Sequence, residues 1–326
     1  MSDFKVVTYS DKNFQLWNQF VQNSKNGTFL CHRDFMEYHK DRFQDQSFLI
    51  FKNKKLVAVF PANIKNHIIY SHQGLTYGGL IVAKNSTFKT TLQAFKALLE
   101  TLEEIGVEEL IIKPTPRMYH VQPSDEVDYL LFKLKAQLLR RDLSLAIDTT
   151  QPIKVSSSNR KRGLKRAQKN EVFVKEEQDF EGFWNQILIP NLEEKHGVEP
   201  VHTLEEIRYL KSKFPKNIRQ FNVYKDNSII AGTTVFETEK VVHAQYISAN
   251  HTKQEYGSLD FLFHHLIHEE YKSKPYFDFG VCSEKNGQQI NSGLQAWKES
   301  FGASSISHDF YSVFTKNHHF LNDVLL

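Results

Sequence analysis

The sequence predicts an α/β protein with mixed sheets, made of two domains in tandem. The chain has 326 residues, beyond the usual size of one domain. Hydrophobic residues make up 40% and aromatic ones 13%, with 26 Phe, which is apolar area enough for two cores. The order hairpin, strand, amphipathic helix, short strand also occurs twice along the chain.

In the first occurrence, apolar runs at 47–51 and 55–61 flank the polar turn Lys52-Asn53-Lys54. A strand at 68–71 follows. Phe88, Leu92, Phe95, Leu99 and Leu102 then recur at helical spacing and predict a helix over 87–105, before a strand at 109–113. In the second, 219–225 and 229–237 flank Asp226-Asn227-Ser228, with a strand at 241–248. Leu259, Leu262, Phe263, Leu266 and Ile267 mark a helix opening near Ser258, and 276–280 is the closing strand. Asn53 and Asn227 lie 174 residues apart, and Glu109 and Tyr276 lie 167 apart. Outside this repeat, Thr203 and Glu206 form a capping-box pattern for a helix to Lys213. Ile290, Leu294, Trp297 and Phe301 mark a further helix, closed by Gly302. Thr149, Thr150, Pro152 and three serines interrupt the pattern between 148 and 158, so the domains are expected at 1–150 and 151–326.

No apolar run is long enough to span a bilayer, and the first residues lack the basic and apolar regions of a signal peptide. Cys31 and Cys282 are the only cysteines, too few for a disulfide framework or a metal cluster. A cytoplasmic protein without a metal is the expectation. The net charge of +3 hides a local excess: Arg160, Lys161, Arg162, Lys165, Arg166 and Lys169 lie between Ser157 and Asn170 with no acid among them. Arg162, Lys165, Arg166 and Lys169 share one helical face, which calls for an anionic partner or stands solvated.

Four short patterns do not carry the functions they first suggest. His32-Arg33-Asp34 and Asp278-Phe279-Gly280 look like kinase signatures, but no Gly-rich loop precedes them. His264 and His268 have metal-ligand spacing without a carboxylate or a third ligand, so a polar helix face is the better reading. Cys282 follows an apolar strand and reads as a packed thiol.

In the C-terminal half, a strand from Val241 runs through Gln254-x-x-Gly257-Ser258 into a helix, and such an end holds phosphate groups through its unpaired N–H donors. A glycine before a helix is also plain turn chemistry. Strand, Gln-x-x-Gly loop, helix and strand together resemble the core of the GNAT acyltransferase superfamily, with Leu259 in the place of that motif's last Gly/Ala. Tyr276-Phe277-Asp278-Phe279-Gly280, with Glu284, Gly287, Asn291, Gly293-Leu294, Trp297-Lys298 and Phe301-Gly302, resembles the tail of the FemAB-like branch, whose members carry two GNAT-like domains in tandem. Ser158-Asn159-Arg160, Lys165-Arg166-Ala167 and Lys169-Asn170 resemble the basic helix opening their second domain.

The resemblance implies an acyltransferase with an acyl-coenzyme A donor, acetyl-coenzyme A included, whose pyrophosphate is cradled by Gln254, Gly257 and Ser258, and with no covalent nucleophile. Asn291, Gln295 and Lys298 fall at i, i+4 and i+7 on the following helix, a polar stripe that faces solvent or, if it borders the cleft, lets Asn291 and Lys298 bind acceptor or donor phosphate. Strict alternation puts His243, Gln245 and Ile247 on one strand face and Ala244, Tyr246 and Ser248 on the other. Tyr246 is a candidate general acid for the leaving group, or else a packed aromatic. Asp278, inside an apolar strand, is expensive unless paired and is either a base or half of an ion pair. Glu284, past the strand's C-terminal end, is the preferred base, or a solvated loop acid. His196, His202, His243 and Arg166 are the candidate contacts for a small-molecule acceptor, an amine or hydroxyl compound such as a sugar or amino acid. The alternatives are a Fem-type aminoacyl-tRNA-dependent peptidyltransferase and a non-catalytic protein that binds an anionic metabolite. DNA is not an expected partner.

Overall fold

Tight polar turns set the strands. Asn53 and Asp226 stand at φ 55° and 54°, the left-handed region that two-residue hairpin loops require and that Asn and Asp tolerate. The computed structural model describes residues 3–153 and 157–326, with every side chain among them except that of His196. The chain forms two units, Met1–Asp142 with Ser307–Leu326, and Leu143–Ile306. The sequence pattern placed 307–326 with the second half. Instead these residues return to the first, where Val313 and Leu321 are wholly or nearly buried.

In unit 1, β1 (Phe4–Thr8), β2 (Phe48–Lys52) and β3 (Lys55–Phe60) form an antiparallel meander. β4 (Ile68–Tyr70) leads through α1 (Phe88–Glu104) to β5 (Glu109–Ile112), which runs parallel to β4. Thr87 caps α1 by accepting from the Thr90 N–H at 3.3 Å. The predicted stripe of α1 is buried at Leu92, Phe95, Leu99 and Leu102, against Phe48, Ile50 and Phe60.

In unit 2 the chain runs through the end of β6 (Gln137–Asp148), α2 (Ser158–Lys169), β7 (Phe173–Glu177), α3 (Ile189–His196), α4 (Leu204–Lys213), β8 (Ile218–Lys225) and β9 (Ser228–Glu237). It continues through β10 (Val241–Ala249), α5 (Ser258–His265), β11 (Tyr276–Val281) and α6 (Ser292–Glu299) into β12 (Ser304–Phe314). The sheet order is β7-β8-β9-β10-β11-β6, antiparallel except where β10 meets β11. Unit 2 thus completes its sheet with the end of β6, where β11 pairs with residues 144–148, and unit 1 with the returning chain, where β5 pairs with residues 311–314 of β12. The capping box is present, with Thr203 N–H to Glu206 Oε2 at 2.9 Å and Glu206 N–H to Thr203 Oγ1 at 3.1 Å.

The last predicted helix is shorter than its apolar pattern. Ile290 pairs with Ser283 in a small hairpin and is exposed, Leu294 is exposed as well, and α6 starts at Ser292 behind the Asn291 cap. Only Trp297 and Phe301 of the stripe reach the core of unit 2. Two π-helical stretches, Trp184–Leu188 and Leu266–Glu270, are invisible to a 3.6-residue pattern.

Candidate active site

β10 and β11 hold together over three pairs only: Val241 with Tyr276, Val242 with Phe277, His243 with Asp278. Past His243 the parallel register stops, although β10 runs on to Ala249 and β11 to Val281. The two strands part, and the last shared pair is an acid and a base.

Asp278 is wholly buried, where an unpaired carboxylate is prohibitive. Its Oδ1 accepts from Ser144 Oγ at 2.9 Å and from the Gly280 N–H at 2.8 Å, and its Oδ2 lies 2.9 Å from His243 Nδ1. A bulge between Asp278 and Val281 makes this possible. Gly280 stands at φ 75°, which turns its N–H back onto the carboxylate. A Cβ at Gly280 would also lie 3.1 Å from His243 Cε1, a tight contact that would push on the imidazole. With Nδ1–H given to Asp278, the imidazole presents Nε2 as an acceptor, and among the described residues no protein group bonds it.

Lys298 braces the bulge from α6. It is 3% exposed, and its ammonium donates to the carbonyls of Gly280 at 2.8 Å and Val281 at 2.7 Å. Burial pulls its pKa down to about 8, against the opposing pull of Asp278. The helical pattern had put Lys298 on a polar stripe with Asn291 and Gln295. In the structure it points inward, so its place in the site is under the strand.

A bulge in β10 also corrects the strand faces. Thr234 pairs with Tyr246 and Val235 with Ala244, leaving Gln245 extra. Val242 and Ala244 before the bulge, and Ile247 and Ala249 after it, turn to the same apolar core. His243, Tyr246 and Ser248 therefore share the other face, where strict alternation had separated His243 from Tyr246.

No protein-family model matches the sequence, and no curated protein matches it. Among solved structures, FemX is similar over 98% of this chain and 99% of its own, at TM-score 0.67 and 11% identity. L-PGS from Bacillus licheniformis is similar over 96% and 93%, at TM-score 0.59 and 12% identity. A conserved protein of unknown function from Bacteroides thetaiotaomicron is similar over 96% and 100%, at TM-score 0.53 and 11% identity. The chain has a tandem GNAT-like fold, which it shares with FemX and L-PGS.

Within this FemX-like fold the other candidate residues fall into separate groups. The Tyr246 hydroxyl accepts from the His202 N–H at 3.1 Å and lies 2.6 Å from His202 Nδ1; both residues are buried, and Trp184 packs edge-on against the tyrosine ring. Glu284 is exposed on the small hairpin, bonded by Asn291 Nδ2 at 2.8 Å, while Asn291 Oδ1 caps α6 at the Leu294 N–H. His196 ends α3, and its side chain lies outside the described residues.

The start of α5 is covered. Gly257, at φ 62°, lies so close to Gly163 of α2 that a Cβ would sit 2.2 Å from the Gly163 carbonyl oxygen, and Ser258 is wholly buried. The Asp260 carboxylate occupies the first turn, paired with Arg160. Gln254 beside it is exposed. A coenzyme A diphosphate does not fit on these N–H groups with α2 in place. Arg166 points outward on α2, and Lys165, Arg166 and Lys169 form no ion pair among the described residues.

Proposed function

We propose that the chain is an acyltransferase that moves an aminoacyl group from an RNA ester to the amine or hydroxyl of a small molecule, at the notch where β10 and β11 part. The His243–Asp278 pair carries this reading. His243 Nε2 takes the proton of the acceptor N–H or O–H as that atom attacks the acyl carbonyl. The imidazolium so formed is stabilised by Asp278, whose carboxylate is already fixed by Ser144 and Gly280. Backbone N–H groups of β10 on the parted side are free of the β11 ladder and stabilise the oxyanion. When the tetrahedral intermediate collapses, the acyl C–O bond to the ribose breaks and the proton passes from His243 to the leaving oxygen. Tyr246 and His202 form a buried wall on the same face of β10 and position the acceptor.

The donor assignment rests on two features. The start of α5 is covered by α2, and Lys165, Arg166 and Lys169 on the basic face of α2 form no ion pair among the described residues. Phe173, three residues beyond Asn170 and 46% exposed, stacks on Tyr224 with 5.4 Å between centroids and 14° between planes, a platform for an RNA base. The test is a transfer assay with a charged tRNA pool and, separately, acetyl-coenzyme A. Transfer from tRNA that His243→Ala abolishes, with tRNA affinity weakened by salt and by Arg166→Glu, supports the reading. Turnover of acetyl-coenzyme A with none from charged tRNA overturns the donor, and full activity in His243→Ala overturns the base.

A further inference from the structure

Two irregular segments of unit 1 meet at a pair of histidines. Residues 37–43 hold no more than one 3-10 turn, Glu37–His39, and residues 72–75, which follow β4, belong to no helix or strand. His39 and His72 are 1% and 3% exposed, with rings 5.2 Å apart. The Phe43 ring closes a triangle with them at 5.0 and 5.4 Å. Both nitrogens of His39 and Nδ1 of His72 lack hydrogen-bond partners. The packing leaves no room for one at Nε2 of His39, since a Cβ on Gly74 would lie 2.0 Å from it and 2.6 Å from the Phe43 ring. His72 itself stands at φ 62°, a region sparsely populated without glycine.

A positive charge has no place in this contact. A protonated imidazole would carry two N–H donors into a site without acceptors. On its own segment His39 faces Arg42, which opposes the charge, and Asp41, which favours it. His72 faces His39, Lys113 just past β5, and Arg33, all three opposing the charge. Arg33 is held by Glu37 and Asp45. Lys113 stands between Arg140 and Asp142, and its ammonium donates to the Leu75 carbonyl. Burial pulls the histidines down to about 4 and about 3, so both are neutral while the segments stay together.

We propose that the contact between residues 37–43 and 72–75 is an acid-released latch: protons on His39 and His72 part the two segments and free the Lys113 ammonium from the Leu75 carbonyl. The parted state takes up two protons that the closed state excludes. The latch holds fully above about pH 6.5 and weakens as pH falls toward 4. Two histidines raise the parted population about 60-fold between pH 6 and pH 5, where one raises it about eightfold. The latch lies within unit 1 and does not depend on the acyl-transfer reading.

Hydrogen exchange of the full chain from pH 7 to pH 4.5, corrected for the intrinsic rate, tests the proposal. The probes are the Gln73 amide, bonded to Asn63 Oδ1 at 2.7 Å, and the Leu75 amide, bonded to the His72 carbonyl at 3.1 Å. Their opening is expected to rise about 60-fold between pH 6 and pH 5. His39→Phe and His72→Asn, an exchange that φ 62° tolerates, each reduce the rise to about eightfold, and the double variant removes it. No rise in the wild-type chain, or the full rise in the double variant, overturns the latch. Opening at these amides should depend weakly on urea and opening of α1 strongly. Equal dependence means that unit 1 unfolds as a whole, and overturns a local release.

Discussion

The two units share one junction and use it differently. In unit 1, β4 and β5 run parallel over three pairs, Ile68 with Glu109, Ile69 with Leu110 and Tyr70 with Ile111. In unit 2, β10 and β11 do the same, ending on His243 with Asp278. Where unit 2 has an acid and a base, unit 1 has a tyrosine and an isoleucine. The continuation differs too. Beyond Tyr70 the chain stays beside β5: Ser71 N–H bonds the Ile111 carbonyl at 2.8 Å, Lys113 N–H bonds Ser71 Oγ at 2.9 Å, and Gly78 N–H bonds the Lys113 carbonyl at 2.9 Å. Unit 1 seals with backbone what unit 2 leaves parted. A repeated architecture can therefore carry chemistry in one copy only, because the chemistry rests on one register pair and on the strands parting after it.

Breaking the unit 2 pair gives the largest expected effect. His243→Ala lowers transfer by about 10²–10⁴-fold and also lowers urea stability, because it takes the partner from the buried Asp278 Oδ2, whereas Tyr70→Phe at the matching position of unit 1 leaves the rate unchanged. Equal losses in the two variants would remove the distinction between the units. Asp278→Ala strips the partner from Ser144 Oγ, the Gly280 N–H and His243 Nδ1 together. It should lower unfolding free energy by about 3–5 kcal/mol, measured by denaturant titration. Asp278→Asn, which keeps the shape, should lose rate more than stability.

Acid separates the units by stability. In unit 1, His39 and His72 are buried with rings 5.2 Å apart, and both nitrogens of His39 and Nδ1 of His72 lack partners. Burial lowers their pKa values to about 4 and about 3. Between those values and about 6.5 the unfolded chain binds more protons than the folded one. The stability they contribute is therefore complete above about pH 6.5 and is lost as pH falls toward 4. Hydrogen exchange at pH 7 and pH 5 should show α1 losing protection while the core strands of unit 2 keep theirs. Loss in unit 2 first would place the acid-sensitive groups elsewhere. The smallest expected effect is that of Glu284→Gln, no more than about threefold on transfer, since the carboxylate is exposed and held by Asn291. A loss to match His243→Ala would move the base to Glu284.

Local signals were legible in the sequence, and long-range pairing was not. The hairpins, α1, the Thr203–Glu206 cap and the doubled order of elements follow from turn residues and periodicity, which act within a few residues. Asp278 announced itself as a carboxylate that must be paired. Its partners did not, because the pairing of His243 with Asp278 and the approach of Ser144 depend on register between distant strands. The bulge at Gln245 reversed the inferred face of Tyr246 without any mark in the residues. Lys298 fell on a polar stripe, yet α6 turns that side toward the Gly280 carbonyl, and periodicity cannot tell which side of a helix meets a neighbour. The cover over α5 rests on Gly163 facing Gly257, two glycines 94 residues apart in the chain.

The return of the chain to unit 1 bears on how the protein is born. Unit 1 needs Tyr311–Phe314 alongside β5, so its N-terminal 142 residues leave the ribosome without their final strand. All of unit 2 is made before that strand appears, a wait of about 8–30 s at ~5–20 residues per second. During it the edge of β5 is open to wrong partners. The second unit is the first able to finish, and the nascent first half is where a chaperone would be needed.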